Sequence, residues 1–262
     1  MRFVNLKLII ASLGLACSHV GEARTRADLV PDDTLLIDLV TGRVVIEMNA
    51  SVAPGHVARI RELARSGVYD GVAFHRVIDG FMAQTGDVKY GNLKSNYNPS
   101  FVGSGNSDLA DLSAEFNELK HLRGTASMAR AQDPNSANSQ FFICFADATF
   151  LDSQYTVWGQ VVEGMEHVDK IQRGVAGSGA VANPDSMVKV TVASDTVLRI
   201  DDNASAGGDG TSWAKAFSTL PDALDAADTG FELWVAEGEY HLTGSLESRL
   251  KNEVNFFGGF KG

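Results

Sequence analysis

Thr34-Leu35-Leu36-Ile37-Asp38-Leu39-Val40 is followed by Thr41-Gly42 and then by Arg43-Val44-Val45-Ile46-Glu47-Met48. Two β-branched, aliphatic runs joined by two residues, one of them glycine, predict a β-hairpin. After it, Pro54 opens a helical pattern in which Val57, Ile60, Leu63 and Ala64 fall on one face, and Gly67 closes it. Short apolar runs then recur at 72–77, 81–88, 124–129, 141–145 and 156–162, separated by Gly, Asn and Asp, and 188–192 supplies a late strand. A second helix is expected within 163–173, where Met165, Val168 and Ile171 share a face. Many short strands with two isolated helices predict a mainly β fold, a closed antiparallel barrel capped by helices, rather than an alternating βαβ chain.

This pattern fills only the middle of the chain. Of 262 residues 44% are hydrophobic and 21% charged, enough to bury a sizeable core. The 33 acidic residues outnumber the 22 basic ones for a net charge of −11, which argues against nucleic acid or an anionic membrane as partner, since phosphate contacts need Lys and Arg. The charge is uneven: residues 1–23 carry +1, 24–199 carry −5 and 200–262 carry −7. Residues 1–23 place Arg2 and Lys7 before the apolar Leu8-Ile9-Ile10-Ala11-Ser12-Leu13-Gly14-Leu15-Ala16. Nine residues fall short of the about 20 that a membrane-spanning helix needs, but suit a signal peptide. Export to a periplasmic or extracellular location is therefore expected, with cleavage after Ala23 and 24–32 as a linker. The alternatives are a lipid-anchored start at Cys17 and a buried N-terminal strand. Two cysteines exclude a disulfide framework, and Cys144, inside Phe141-Phe142-Ile143-Cys144-Phe145, reads as a core residue.

The usual catalytic constellations are missing. There is no Gly-x-Ser-x-Gly elbow and no His-Glu-x-x-His helix, and Gly177-Ser178-Gly179-Ala180-Val181-Ala182 sits between a helix and a Pro184 turn, the wrong place for a dinucleotide loop. What stands out is Phe74-His75-Arg76-Val77-Ile78-Asp79-Gly80-Phe81-Met82-Ala83-Gln84-Thr85-Gly86-Asp87, with Gly124-Thr125-Ala126-Ser127-Met128-Ala129-Arg130 and Ser139-Gln140-Phe141-Phe142-Ile143. In order and spacing these three motifs resemble the cyclophilin family of peptidyl-prolyl cis–trans isomerases, over a domain running 33–199. The resemblance implies an eight-stranded antiparallel barrel with a helix closing each end. It also implies a catalytic set of Arg76, Phe81 and Gln84, and a substrate-binding set of Met82, Ala129, Arg130, Gln140, Phe142, Phe150, Leu151 and Tyr155.

Three positions depart from the best-known eukaryotic pattern. Phe150 stands for a tryptophan, Tyr155 for a histidine, and Arg130 for an asparagine with one extra residue before Pro134. All three look like the bacterial variant, and they imply weak cyclosporin binding at most. The partners implied are proline-containing polypeptides, the protein acting as a monomer with no metal or cofactor. The residue types suit the chemistry. A prolyl amide rotates against a barrier of ~18–20 kcal/mol; an apolar pocket strengthens a hydrogen bond, and an always-charged guanidinium favours the twisted amide over either planar ground state. No proton transfer is needed, so His75 and His121 read as structural.

The acidic end is different again. Residues 200–212 are a Gly/Asp-rich linker by composition; they lack the Glu that would complete an EF-hand calcium loop. A short helix at 218–227, a strand at 231–236 and the closing Val254-Asn255-Phe256-Phe257-Gly258-Gly259-Phe260 follow. From Asp209-Gly210-Thr211-Ser212-Trp213 onward this segment resembles the opening of secreted pectin-lyase-like parallel β-helices, so that 213–262 reads as an incomplete β-helix-like part. A second reading therefore stays open: a surface or adhesive β-helix protein in which the barrel binds proline peptides.

Overall fold

The computed structural model describes residues 6–10, 29–228, 231–242 and 254–260. Most of the expected leader, including Cys17, most of the 24–32 linker and parts of the acidic segment lie outside them. The chain divides into two compact units, residues 33–192 and residues 1–32 together with 193–262. Among the described residues, one strand precedes the larger unit in the chain, β1 (Leu6–Ile10).

The larger unit opens with β2 (Thr34–Leu39) and β3 (Gly42–Met48), paired from Thr34↔Glu47 to Leu39↔Gly42. The hairpin is thus present, but its loop is Val40-Thr41 and Gly42 already belongs to the ladder. Gly42 has φ +139°, and a Cβ there would stand 2.3 Å from the His167 ring, so only glycine fits. Helix α1 (Pro54–Arg65) follows, burying His56, Val57, Ile60, Leu63 and Ala64. Its N-terminus has no local side-chain cap. Glu115 supplies one from afar, accepting the backbone N–H of Gly55 and His56 at 3.0 and 3.1 Å and meeting His56 Nδ1 at 2.7 Å.

The remaining strands are β4 (Arg76–Ile78), β5 (Met82–Thr85), β6 (Thr125–Met128), β7 (Phe141–Cys144), β8 (Val157–Glu163) and β9 (Lys189–Val192). With β2 and β3 they form one curled, eight-stranded antiparallel sheet in the order β4-β5-β7-β6-β8-β3-β2-β9. The two edges, β4 and β9, share no ladder. The gap is stitched by single backbone bonds: Gly71, Phe74 and Val77 donate to the carbonyls of Met187, Asp185 and Gly179 at 2.6, 2.8 and 2.7 Å. The second helix is much shorter than expected. β8 consumes residues up to Glu163, Gly164 turns the chain with φ +84°, and only α2 (Met165–Val168) is helical. Within the sheet lies a core of aliphatic and aromatic side chains. Phe141 meets Tyr69 and Trp158 edge-on, at ring separations of 5.8 and 5.4 Å.

The second unit holds α3 (Ala193–Thr196), β10 (Val197–Ile200), α4 (Leu220–Ala226), β11 (Glu232–Ala236), β12 (Gly238–Leu242) and β13 (Asn255–Phe260). β10, β11 and β13 lie parallel, with Leu198, Leu233 and Phe256 at one level and Arg199, Trp234 and Phe257 at the next. Val197–Ile200 therefore pairs with the acidic segment, although the sequence pattern places 197–199 at the end of the barrel domain. α4 is capped by Thr219, whose hydroxyl oxygen accepts the Asp222 N–H at 3.2 Å. β1 runs antiparallel to β12. Among the described residues no helix is long and apolar enough to cross a membrane.

Candidate active site

Side chains alternate across a strand, and in β4 to β7 this sorts residues between two faces. Val77, Ala83, Ala126, Met128, Phe141 and Ile143 join the core inside the sheet. Their neighbours point the other way. Met82, Phe142 and Cys144 form a second apolar cluster with Ala148 and Leu151, flanked by Ile78, Phe81, Ala129 and Tyr155. Register sets a row across four strands: Arg76 opposite Gln84, Gln84 opposite Phe142, Phe142 opposite Ser127. The site is thus built on the outer face of the sheet by residues that share strands with the core.

A cleft of about 190 Å³ opens on this row, lined by Arg76, Phe81, Met82, Gln84, Ala129, Arg130, Phe142, Leu151 and Tyr155. Nine of the eleven residues singled out in the sequence line it. Gln140 lies one step behind, its amide oxygen accepting from Gln84 Nε2 at 3.0 Å. Phe150 sits at the margin, 66% exposed, its ring 5.4 Å from that of Phe81. The floor is dry: Met82 is 1% and Phe142 5% exposed. Leu151 arrives on a one-turn 3₁₀ helix, Thr149–Leu151.

Arg76 is held from two sides. Its Nη1 donates to Gln84 Oε1 at 3.2 Å and its Nε to the Ser178 carbonyl at 3.3 Å. Arg130, the other guanidinium in the cleft, donates to the carbonyls of Gln154, Ala131 and Gln132 and stacks over Tyr155 at 4.6 Å. The Tyr155 ring in turn meets Phe142 edge-on at 5.9 Å.

Behind Phe142 lies an arrangement the sequence did not announce. His121 stacks on Phe142 with ring centroids 6.1 Å apart, its Nδ1 3.0 Å from Asp152 Oδ1 and its Nε2 3.0 Å from Ser127 Oγ. A carboxylate only accepts, so Nδ1 carries a proton, while the Ser127 hydroxyl lies 3.0 Å from both His121 Nε2 and the Thr156 carbonyl, to which it donates. The order is that of a nucleophilic triad, yet Ser127 and His121 are fully buried, and the trio braces the pocket wall. Burial pushes the Cys144 thiol up to about 12, which leaves it unreactive.

Burial also lowers the basicity of three histidines, His56, His75 and His121, below the ordinary value. The unfolded chain then takes up protons first, near pH 6.5, so their contribution to stability is complete above that value and is lost as pH falls toward the folded-state values. The loss is at most about 1.4 kcal/mol per histidine for each pH unit. The carboxylates of Glu115 and Asp152 are held below their ordinary range, so their loss begins only near pH 4 and leaves the histidine window clear. The melting temperature is expected to drop by several degrees between pH 7.5 and 5.5; a flat calorimetric profile over that range would refute this.

Three contributors escaped the sequence reading. Ser178 lies 102 positions from Arg76 and contributes only a carbonyl, which carries no signal in the sequence. Asp87 anchors the loop after β5, and Asn138 holds a second loop by accepting from the Ser107 N–H and donating to Leu109 O and Asp111. Polar residues buried beside a motif were the one available sign.

The curled antiparallel sheet with a cleft on its outer face defines a class of protein that comparison with known proteins identifies. Residues 34–193 match the family model described as cyclophilin type peptidyl-prolyl cis-trans isomerase/CLD. A probable peptidyl-prolyl cis-trans isomerase of Brucella suis is 49% identical over 192 residues, 73% of this chain and 98% of that protein. Peptidyl-prolyl cis-trans isomerase A of Dickeya dadantii is 39% identical over 53% of this chain and 70% of its own. Among solved structures, the cyclophilin AquaCyp293 of Hirschia baltica aligns with TM-score 0.53 and 29% identity, over 64% of this chain and 76% of that one. A Cryptosporidium parvum cyclophilin crystallised in the presence of the dipeptide Ala-Pro shares the fold, with TM-score 0.52 and 24% identity over 61% of this chain and 98% of that one. The chain belongs to the cyclophilin-type peptidyl-prolyl cis-trans isomerases, and it is an enzyme of that class.

Proposed function

We propose that this isomerase acts on X-Pro bonds of exported or unfolded polypeptides by non-covalent stabilisation of the twisted amide, with Arg76 as the charged donor. The observation that carries the reading is the single cleft that joins the Arg76 guanidinium to a dry floor of Phe81, Met82, Phe142 and Leu151. The prolyl ring occupies that floor. As rotation breaks amide conjugation, the prolyl nitrogen gains a localised lone pair, and Arg76 donates to it while steadying the adjacent carbonyl. Both planar isomers lack that lone pair, so the bond strengthens only in the transition state. Gln84 accepts from Arg76 and keeps the fork aimed. Ala129 holds the peptide backbone, Gln140 backs Gln84 from behind the cleft, and Arg130, Phe150 and Tyr155 form the rim, with cyclosporin affinity low because Phe150 offers less ring area than an indole. The test is two-dimensional exchange spectroscopy on an Ala-Pro-containing peptide, with the intact chain and its Arg76→Ala variant. Equal acceleration by both would overturn the role of Arg76.

The basic-then-apolar start supports an export leader over residues 1–23, and the protein is read as a monomer with a mature start at Arg24. In the full chain Leu6–Ile10 pairs with Gly238–Leu242, so cleavage would free that edge. Intact mass of the protein secreted from a bacterial host checks the site; retention of residues 1–23 would refute it. The parallel stack of β10, β11 and β13 supports reading 213–262 as the beginning of a β-helix-like part.

A further inference from the structure

Asp87 is fully buried, and both its carboxylate oxygens are taken by backbone N–H groups. Oδ1 accepts from Lys89 and Tyr90 at 3.1 and 2.8 Å, and Oδ2 from Gly103 and Gly105 at 2.7 and 2.9 Å. The same two glycines turn their carbonyls to the site: Gln140 Nε2 donates to Gly103 O at 3.1 Å and to Gly105 O at 2.8 Å. Carbonyl oxygens can only accept, so the end of the Gln140 amide that faces them has to be the NH₂. Its oxygen then faces Gln84, which must answer with its own NH₂, at 3.0 Å. That leaves the Gln84 oxygen as the acceptor for Arg76 Nη1. Each choice follows from the one before.

We propose that Asp87 is a positioning residue for the isomerase reaction: by holding the Gly103 and Gly105 carbonyls against Gln140 it fixes the polarity of two side-chain amides, and with it the acceptor that orients Arg76. Were the Gln140 amide free to flip, Gln84 could present N–H to a guanidinium that can only donate, and the fork would turn away. The fit around Asp87 is close. A Cβ on Gly105 would stand 2.3 Å from Asp87 Oδ1, so the loop passes this carboxylate only as glycine.

The proposal rests on the role of Arg76 given above, and its test separates the two. In the intact chain, Asp87→Asn replaces one acceptor by a donor facing backbone N–H. The expected result is a fall in kcat of about tenfold with KM within about twofold, since misplacing a catalytic group by a fraction of an ångström suffices for that. The side-chain amide resonances of Gln84 and Gln140 should move as well. A relay has a further signature: Asp87→Asn combined with Gln140→Met should be no slower than Gln140→Met alone, because groups acting through one another are not additive. Losses that multiply, an unchanged kcat, or unmoved glutamine resonances would each overturn the proposal. If Asp87→Asn fails to fold, Gly105→Ala displaces the carboxylate while keeping its charge, and the same non-additivity with Gln140→Met decides. Full activity of Arg76→Ala would instead sink the parent reading; an inactive Arg76→Ala with an additive Asp87 cycle would sink only the relay.

Discussion

Arg76→Ala is expected to lower kcat/KM for an X-Pro peptide by about 10²- to 10³-fold, the usual consequence of removing one preorganised donor from a water-poor site. The loss should fall almost wholly on kcat. Phe81, Met82, Phe142 and Leu151 still form the floor, so ground-state binding of the proline ring survives. No neighbour can substitute. Arg130 lines the same cleft, but its guanidinium is spent on the carbonyls of Gln154, Ala131 and Gln132 and on the face of Tyr155. Arg76 commits only two of its N–H groups, to Gln84 and Ser178, and a guanidinium has five. Arg76→Lys should recover part of the rate, since it restores charge without the planar fork. Exchange spectroscopy on a proline peptide reads both variants, and retention of activity within about threefold by Arg76→Ala would refute the assignment.

Phe141→Ala is expected to destabilise the isomerase unit by about 3–5 kcal/mol, as for other buried aromatic truncations. Phe141 is fully buried and its ring is met edge-on by Tyr69 and Trp158, so the cavity would open where two large, packed rings have little room to collapse. Phe142, one residue on, faces the cleft. Phe142→Ala should cost less stability, because the space it leaves borders solvent, and should instead raise KM by removing a pocket wall. Denaturant unfolding of both variants with the intact chain as reference decides the matter. If Phe142→Ala proved the more destabilising of the two, the division of β7 into a core face and a cleft face would be wrong.

These two neighbours show what the sequence made legible and what it did not. Phe141-Phe142-Ile143-Cys144 is apolar throughout, so no alternation marks which residue belongs to the core. Resemblance to cyclophilins picked out Phe142, and the register against Gln84 explains it. Strand existence was readable wherever β-branched runs met turn residues, as at 34–48. The helical spacing of Met165, Val168 and Ile171 suggests a helix within 163–173, yet it equally suits one helical turn followed by a loop that packs on the core. Contributions through backbone carbonyls, such as Ser178 on Arg76, or through carboxylates distant in sequence, such as Glu115 on the start of α1, depend on loops that local pattern cannot place.

The seam between β4 and β9 gives chain length a role of its own. The segment that closes it is pinned at one end where Gly174 donates to Val77 O and at the other where Gly71 donates to Met187 O, with Gly179 fastened to Val77 between them. It works as a strap of fixed reach. Adding or removing one residue here would slide the Ser178 carbonyl off Arg76. Tolerance to length change should therefore be low in a stretch that, by composition, looks like an ordinary glycine-rich loop.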